Sequence, residues 1–261
     1  MSENIILETR NVSKHFGGLK AVDGVSLQVQ AGTLHSIIGP NGAGKTTFFN
    51  LLSGTLKPTS GQVFYKGQDI THVPVHRMAH LGLGRSFQIT NIFPNLSVLE
   101  NVRLAVQALG PDNLALWRDS RHFPQYSAQA LTAIRQVGLG GKENALARTL
   151  AHGDKRKLEL AILLAPDPAV LLLDEPTAGM ASEQVPQLME VIDAIRAQGN
   201  KTILLVEHRM DVVMRASDRI TVMHQGAILA DGTPAAVAAN ETVQHAYLGG
   251  LYHLSDRPRN P

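Results

Sequence analysis

The chain has 261 residues, enough to bury a large core in one big α/β domain or two small ones. Its 24 basic and 22 acidic residues leave a net charge of +2 with no long basic run, which argues against nucleic acid as a partner. With no cysteine there is no disulfide, thiolate nucleophile or cysteine-ligated zinc, a composition that fits a reducing cytoplasm.

The opening MSENIILETRNVSKHF lacks the charged start and continuous apolar stretch of a signal peptide. Short β-rich runs follow at Ile5 to Thr9, Val25 to Val29, Leu34 to Ile38 and Gln62 to Tyr65, separated by Gly and Asp-Gly turn signals. They predict antiparallel hairpins together with a first core strand. From Pro94 to Ala165 the texture turns helical, with apolar spacing over Leu99 to Ala108, Leu131 to Val137 and Leu158 to Leu164. After Pro168 buried strands and amphipathic helices alternate: Val170 to Leu173, Val185 to Arg196, Thr202 to Val206, Asp211 to Ala216, Ile220 to Met223. That alternation predicts a mostly parallel sheet covered on both faces. The longest apolar runs, near Ala161 and Ala169, fall far short of the roughly 20 residues of a membrane-spanning helix, so the chain is not expected to cross a membrane by itself.

The strand Leu34 to Ile38 runs into GPNGAGKTT, residues 39 to 47, and then into an apolar helix. Gly39, four residues, Gly44, Lys45 and Thr46 form the full phosphate-loop pattern in its strand-to-helix setting. Its glycines let several N–H groups from Asn41, Gly42, Ala43 and Thr47 face one anion, Lys45 reaches the outer phosphates, and the Thr46 hydroxyl can ligate Mg²⁺. A second site element is VLLLDE, residues 170 to 175, a buried strand ending in two carboxylates. Asp174 is placed to hold Mg²⁺ and Glu175 to act as general base on water, on opposite faces if strand alternation continues. LAHGDKR, from Leu150, reads as a helix start, with Gly153 and Asp154 at an N-terminus that offers free N–H groups to an anion. The chain therefore carries a second phosphate site more than a hundred residues from the first.

In these motifs and their order, the chain resembles the nucleotide-binding subunit of ATP-binding-cassette (ABC) transporters, from about Ile5 to Leu248. The resemblance implies a phosphate-loop ATPase fold: an α/β core with a mostly parallel sheet, an N-terminal antiparallel β part and an inserted α-helical part. One domain is expected over 1–253, with the core from 1–91 and 166–253, the helical part at 92–165, and a frayed tail at 254–261. It further implies that Phe16 stacks on adenine with Val22 among the nucleotide-binding positions, and that Gln88 in GRSFQ links the metal site to membrane subunits. His152, Gly153 and Asp154 belong to the signature that meets the γ-phosphate of ATP on a second cassette, and His208 in LLVEHRMDVV is the switch histidine. ATP and Mg²⁺ are the expected cofactors. Two positions depart from the family pattern: Ala151 stands where the signature usually has Ser, and Ala181 where the loop after the acidic strand commonly has Asp. The first removes a hydroxyl contact to phosphate of a kind worth about 1.5 to 3 kcal/mol.

Within the family, FGGLKAVDGVSL, GLGRSFQ, the HG of the signature, VEHRMDVVM and AYLGG are similar to the branched-chain amino acid uptake group. That likeness implies two transmembrane permease subunits, a second ATPase subunit (a sister chain or a second copy), a periplasmic binding protein acting indirectly, and a peripheral place on the inner face of the plasma membrane. The urea and short-amide importers share much of the pattern and stay open as an alternative. So does a soluble phosphate-loop ATPase or kinase, although a kinase calls for an arginine-rich lid and the helical part has scattered arginines such as Arg118, Arg121 and Arg135 but no such cluster.

Overall fold

The structure, a computed structural model, describes residues 4–86, 92–112 and 124–248. The chain opens with two long antiparallel strands, β1 (Ile5–Phe16) and β2 (Leu19–Gln30). Both exceed the runs read from alternation, because the ladder slips between Thr9 and Val12 and Asn11 takes a positive φ of 46°. A bulge of this kind inserts an extra residue and hides the period of two. Next comes β3 (Leu34–Ile38), buried at every position, followed by α1 (Lys45–Leu52). Two further antiparallel strands, β4 (Ser60–Tyr65) and β5 (Gln68–Asp69), complete a four-stranded sheet in the order β2-β1-β4-β5.

The chain continues through α2 (Val75–Leu81) and the three-residue β6 (Leu83–Arg85) into the helical part. There α3 (Val98–Leu109) starts at Ser97, whose hydroxyl accepts the Glu100 N–H at 3.1 Å, and buries Val98, Val102 and Val106. It packs with α4 (Pro124–Gln136) and α5 (His152–Leu164). The remainder alternates: β7 (Val170–Asp174), α6 (Val185–Ala197), β8 (Thr202–Val206), α7 (Met210–Ala216), β9 (Arg219–His224) and the antiparallel β10 (Ala227–Gly232). These strands join β3 and β6 in a six-stranded sheet of order β10-β9-β3-β8-β7-β6, parallel except at the β10 edge.

Strand alternation splits the core over the two faces of this sheet. Leu171 and Leu173 of β7 join Ile203, Leu205 and the helical residues Val102, Ile134 and Leu158 in one apolar cluster. Val170 and Leu172 face the other way, onto Phe48, Phe49 and Leu52 of α1 and onto Val63 and Tyr65 of the antiparallel sheet. The α/β architecture expected from the sequence is the one observed. No helix among the described residues is long and apolar enough to cross a membrane.

Candidate functional site

Parallel strands place their carboxyl ends on one edge, where an open α/β sheet binds its ligands. Here β3, β7 and β8 end side by side. The phosphate loop leaves β3 and returns as α1 at Lys45, with Gly44 as N-cap at φ +97° and no side chain capping the helix. Gly39 and Gly44 are demanded by space as well as by φ. A Cβ on Gly39 would lie 2.2 Å from the Met223 carbonyl oxygen, and one on Gly44 2.3 Å from that of Ala21. Lys45 is buried against its own loop, its Nζ donating to the carbonyls of Gly39 at 2.7 Å and Pro40 at 3.0 Å. Burial lowers its pKa, while Glu175 and Asp174 pull the other way.

The β7–β8 register pairs Asp174 with Val206, so the residues just beyond them emerge together. Glu175 donates its N–H to the Val206 carbonyl at 2.8 Å and turns out of the sheet at φ +48°. This left-handed turn, and not simple alternation, parts the two carboxylates. Asp174 stays buried under the loop, whereas Glu175 reaches the cleft and meets His208, Oε1 to Nε2 at 2.7 Å. The cleft of about 510 Å³ is lined by Leu19, Lys20, Ala21, the loop from Asn41 to Thr47, Glu175, His208 and Gln225. That volume lies in the range of small-molecule and cofactor sites.

Asp174 is buried with neither carboxylate oxygen hydrogen-bonded. Burial raises its pKa, opposed first by Arg85, whose Nη2 stands 3.5 Å from Oδ2. Two buried hard oxygens without a hydrogen bond, one of them ion-paired with Arg85, fit a Mg²⁺ ion that would take its remaining ligands from the Thr46 hydroxyl, phosphates and water. Among the described residues no three His, Asp or Glu side chains converge as a ready-made cage. Arg85, which the sequence reading passed over, also donates to Ser53 Oγ at 2.7 Å and Thr55 Oγ1 at 3.0 Å. Only the parallel β6–β7 register, which sets Arg85 beside Leu172, reveals its reach to Asp174.

The remaining expected residues fall in three groups. Phe16 ends β1, 48% exposed and next to the cleft-lining Leu19 with which it pairs, and the Lys14 ammonium lies 5.3 Å from its ring centre. Val22, by contrast, is fully buried in the core, and it is Leu19 to Ala21 that line the cleft. Gln88 lies outside the described residues, as do Arg118, Arg121 and the tail from 254.

The signature residues do not line the cleft of their own chain. They form the first turn of α5, where Ala151 is the N-cap and offers no side-chain cap. His152 is exposed, its ring about 3.8 Å from where a Cβ on Gly179 would stand, and Asp154 pairs with Lys142 at 2.5 Å. This helix end thus carries unsatisfied N–H groups, with its one acidic side chain already neutralised.

A strand–phosphate loop–helix, an acidic strand end and a histidine just beyond the next strand define a phosphate-loop nucleoside triphosphatase. Residues 22–178 match the ABC transporter family, and the chain belongs to it. Residues 227–253 match a second description, branched-chain amino acid ATP-binding cassette transporter. The chain is 40% identical to the high-affinity branched-chain amino acid transport ATP-binding protein BraF of Pseudomonas aeruginosa, over 94% of this chain and 98% of that one. It is 39% identical to LivG of Escherichia coli K12, with the same coverage. The ADP conformation of MJ1267, an ATP-binding cassette of an ABC transporter, superposes with a TM-score of 0.81 at 29% identity, covering 94% of this chain and 99% of that one. Members of this family are ATPases that bind ATP, pair, and work with membrane permease subunits.

Proposed function

We propose that this ATPase powers import of branched-chain or related hydrophobic amino acids, as one cassette of a pair beneath two permease subunits on the inner face of the plasma membrane. The observation that carries the cargo is the match of the C-terminal segment 227–253 to the branched-chain group, joined to 40% identity with BraF over nearly the whole chain. A periplasmic binding protein would deliver the amino acid, and the cassette itself need not touch it.

The phosphate loop, Gly39 to Thr47, holds the ATP phosphates, with Lys45 released from its loop carbonyls to meet the outer ones. Phe16 stands by to cover the adenine ring. Thr46 and Asp174, with Gln88, would hold Mg²⁺, which when bound neutralises phosphate charge. Glu175 orients and deprotonates the attacking water, and His208 donates toward the γ-phosphate once its hydrogen bond to Glu175 opens. The first turn of α5, Ala151 to Asp154, meets the γ-phosphate on the partner cassette, so loss of that phosphate opens the pair.

The face toward the permeases fits an apolar cleft of about 270 Å³ between α2, β6 and α5, lined by Val75, Met78, Leu83, Ile162 and Leu163. Val75 is 50% exposed and Phe93, on the segment entering the helical part, 58% exposed. An exposed apolar side chain such as Val75 at an apolar cleft suits a surface that another chain covers. The test is recovery of the tagged chain from its native membrane with identification of what accompanies it. Two hydrophobic permeases and a second cassette are expected. A lone soluble chain hydrolysing ATP at full rate would overturn the transport reading.

A further inference from the structure

The loop that follows Glu175 and the loop that carries His208 are held by one buried carboxylate. Glu207, 2% exposed, follows β8 directly. Its Oε1 accepts the Thr177 N–H at 3.3 Å and the Thr177 hydroxyl. Its Oε2 accepts the His208 N–H at 2.7 Å and the Arg209 N–H at 3.4 Å. Each oxygen therefore serves a different loop, and a carboxylate, which only accepts, matches four donors. Thr177 is itself buried and lies two residues beyond Glu175.

We propose that Glu207 is a positioning residue for hydrolysis: a clamp that fixes the separation of Glu175 and His208 at the cleft by tying the two loops that present them. Beyond the sheet the loop backbones share one ladder bond, Glu175 N–H to Val206 carbonyl, the Glu175 and His208 side chains meet in one hydrogen bond, and the clamp adds ties behind both. The same loop reaches the helical part, because Arg156 Nη2 on α5 donates to the Ala178 carbonyl at 3.1 Å. A shift of α5 thus pulls on a loop anchored at Glu207, next to the histidine.

The inference rests on the roles given above to Glu175 and His208, and the test separates the two. Hydrolysis is measured in the complete transporter for Thr177→Val, Thr177→Ser, Glu207→Gln and His208→Ala, and amide exchange at Thr177, His208 and Arg209 in the full-length chain. Thr177→Val, which removes only the hydroxyl, should lower kcat about tenfold or more, with KM for ATP within about twofold and thermal stability kept. Thr177→Ser should restore turnover. Glu207→Gln should speed exchange in both loops about tenfold or more, and adding Thr177→Val to it should cost no further activity. If Thr177→Val and Glu207→Gln turn over like the wild type with unchanged exchange while His208→Ala is inactive, the clamp is overturned and the site reading stands. Wild-type turnover in His208→Ala would instead overturn the roles on which the clamp depends.

Discussion

Glu175 sits at φ +48°, a backbone setting that costs a non-glycine residue of order 1 kcal/mol or more, and the fold maintains it at the residue expected to activate water. The turn is what delivers the carboxylate to His208 while Asp174 remains buried beneath. Glu175→Gln keeps the shape and the turn and removes the base. It should leave nucleotide binding within about twofold and lower turnover by at least ~10²-fold, checked by a fluorescent ATP analogue and by phosphate release. Gly44→Ala should fail at an earlier step. Its methyl would press on the Ala21 carbonyl at 2.3 Å in a left-handed residue, so the loop must deform and ATP affinity should fall more than tenfold, measured by the same analogue. Gly44, Lys45, Asp174 and Glu175 were all legible in the sequence, because each belongs to a motif whose spacing reports a mechanism. Arg85 and Glu207 were not. Their partners, Asp174 and Thr177, come from distant segments that only strand register brings within reach.

At the scale of the elements, α5 shows what its sequence departure does. Ala151 is in cap geometry, φ −61° and ψ 159°, yet has no hydroxyl to offer the first turn. Ala151→Ser should stabilise the fold by about 1 kcal/mol, a rise in Tm of a few degrees, read by thermal unfolding. In β3, His35 is wholly buried, with Nε2 2.7 Å from Thr221 Oγ1, which in turn donates to Asp231. Burial lowers its pKa from 6.5 to about 4, with Asp231 opposing and Arg219 assisting. The unfolded chain therefore takes up this proton first, and the neutral native ring loses its advantage as pH falls from about 6.5 to 4. Over that window the wild type should lose up to about 3 kcal/mol more unfolding free energy than His35→Asn, measured in urea. Elements with a strong signal, the continuous apolar runs of β3 and β8 and the helical period of α6, fall within a residue or so of their reading. β6 and β5 did not, since two or three residues carry no period, and β1 did not because its bulge breaks one.

At the scale of the whole molecule, the chain carries two ends proposed to bind phosphate, the loop before α1 and the first turn of α5, and the two do not line one cleft. The phosphate-loop cleft holds no signature residue, so the first turn of α5 lies outside the lining of that cleft. Under the proposed function a second cassette completes this layout, and pairing that depends on the γ-phosphate would convert hydrolysis into separation of the subunits. Under the proposed function the apolar cleft beside β6, built from α2 on the core and α5 on the helical part, is where that movement would reach the permeases. The most direct measurement is uptake of labelled leucine into vesicles that hold the reconstituted transporter, with ATP on the cassette side and the binding protein on the other. ATP-dependent accumulation that is lost in Glu175→Gln is the result expected. ATP hydrolysis at the wild-type rate without accumulation of leucine, isoleucine or valine would contradict the account.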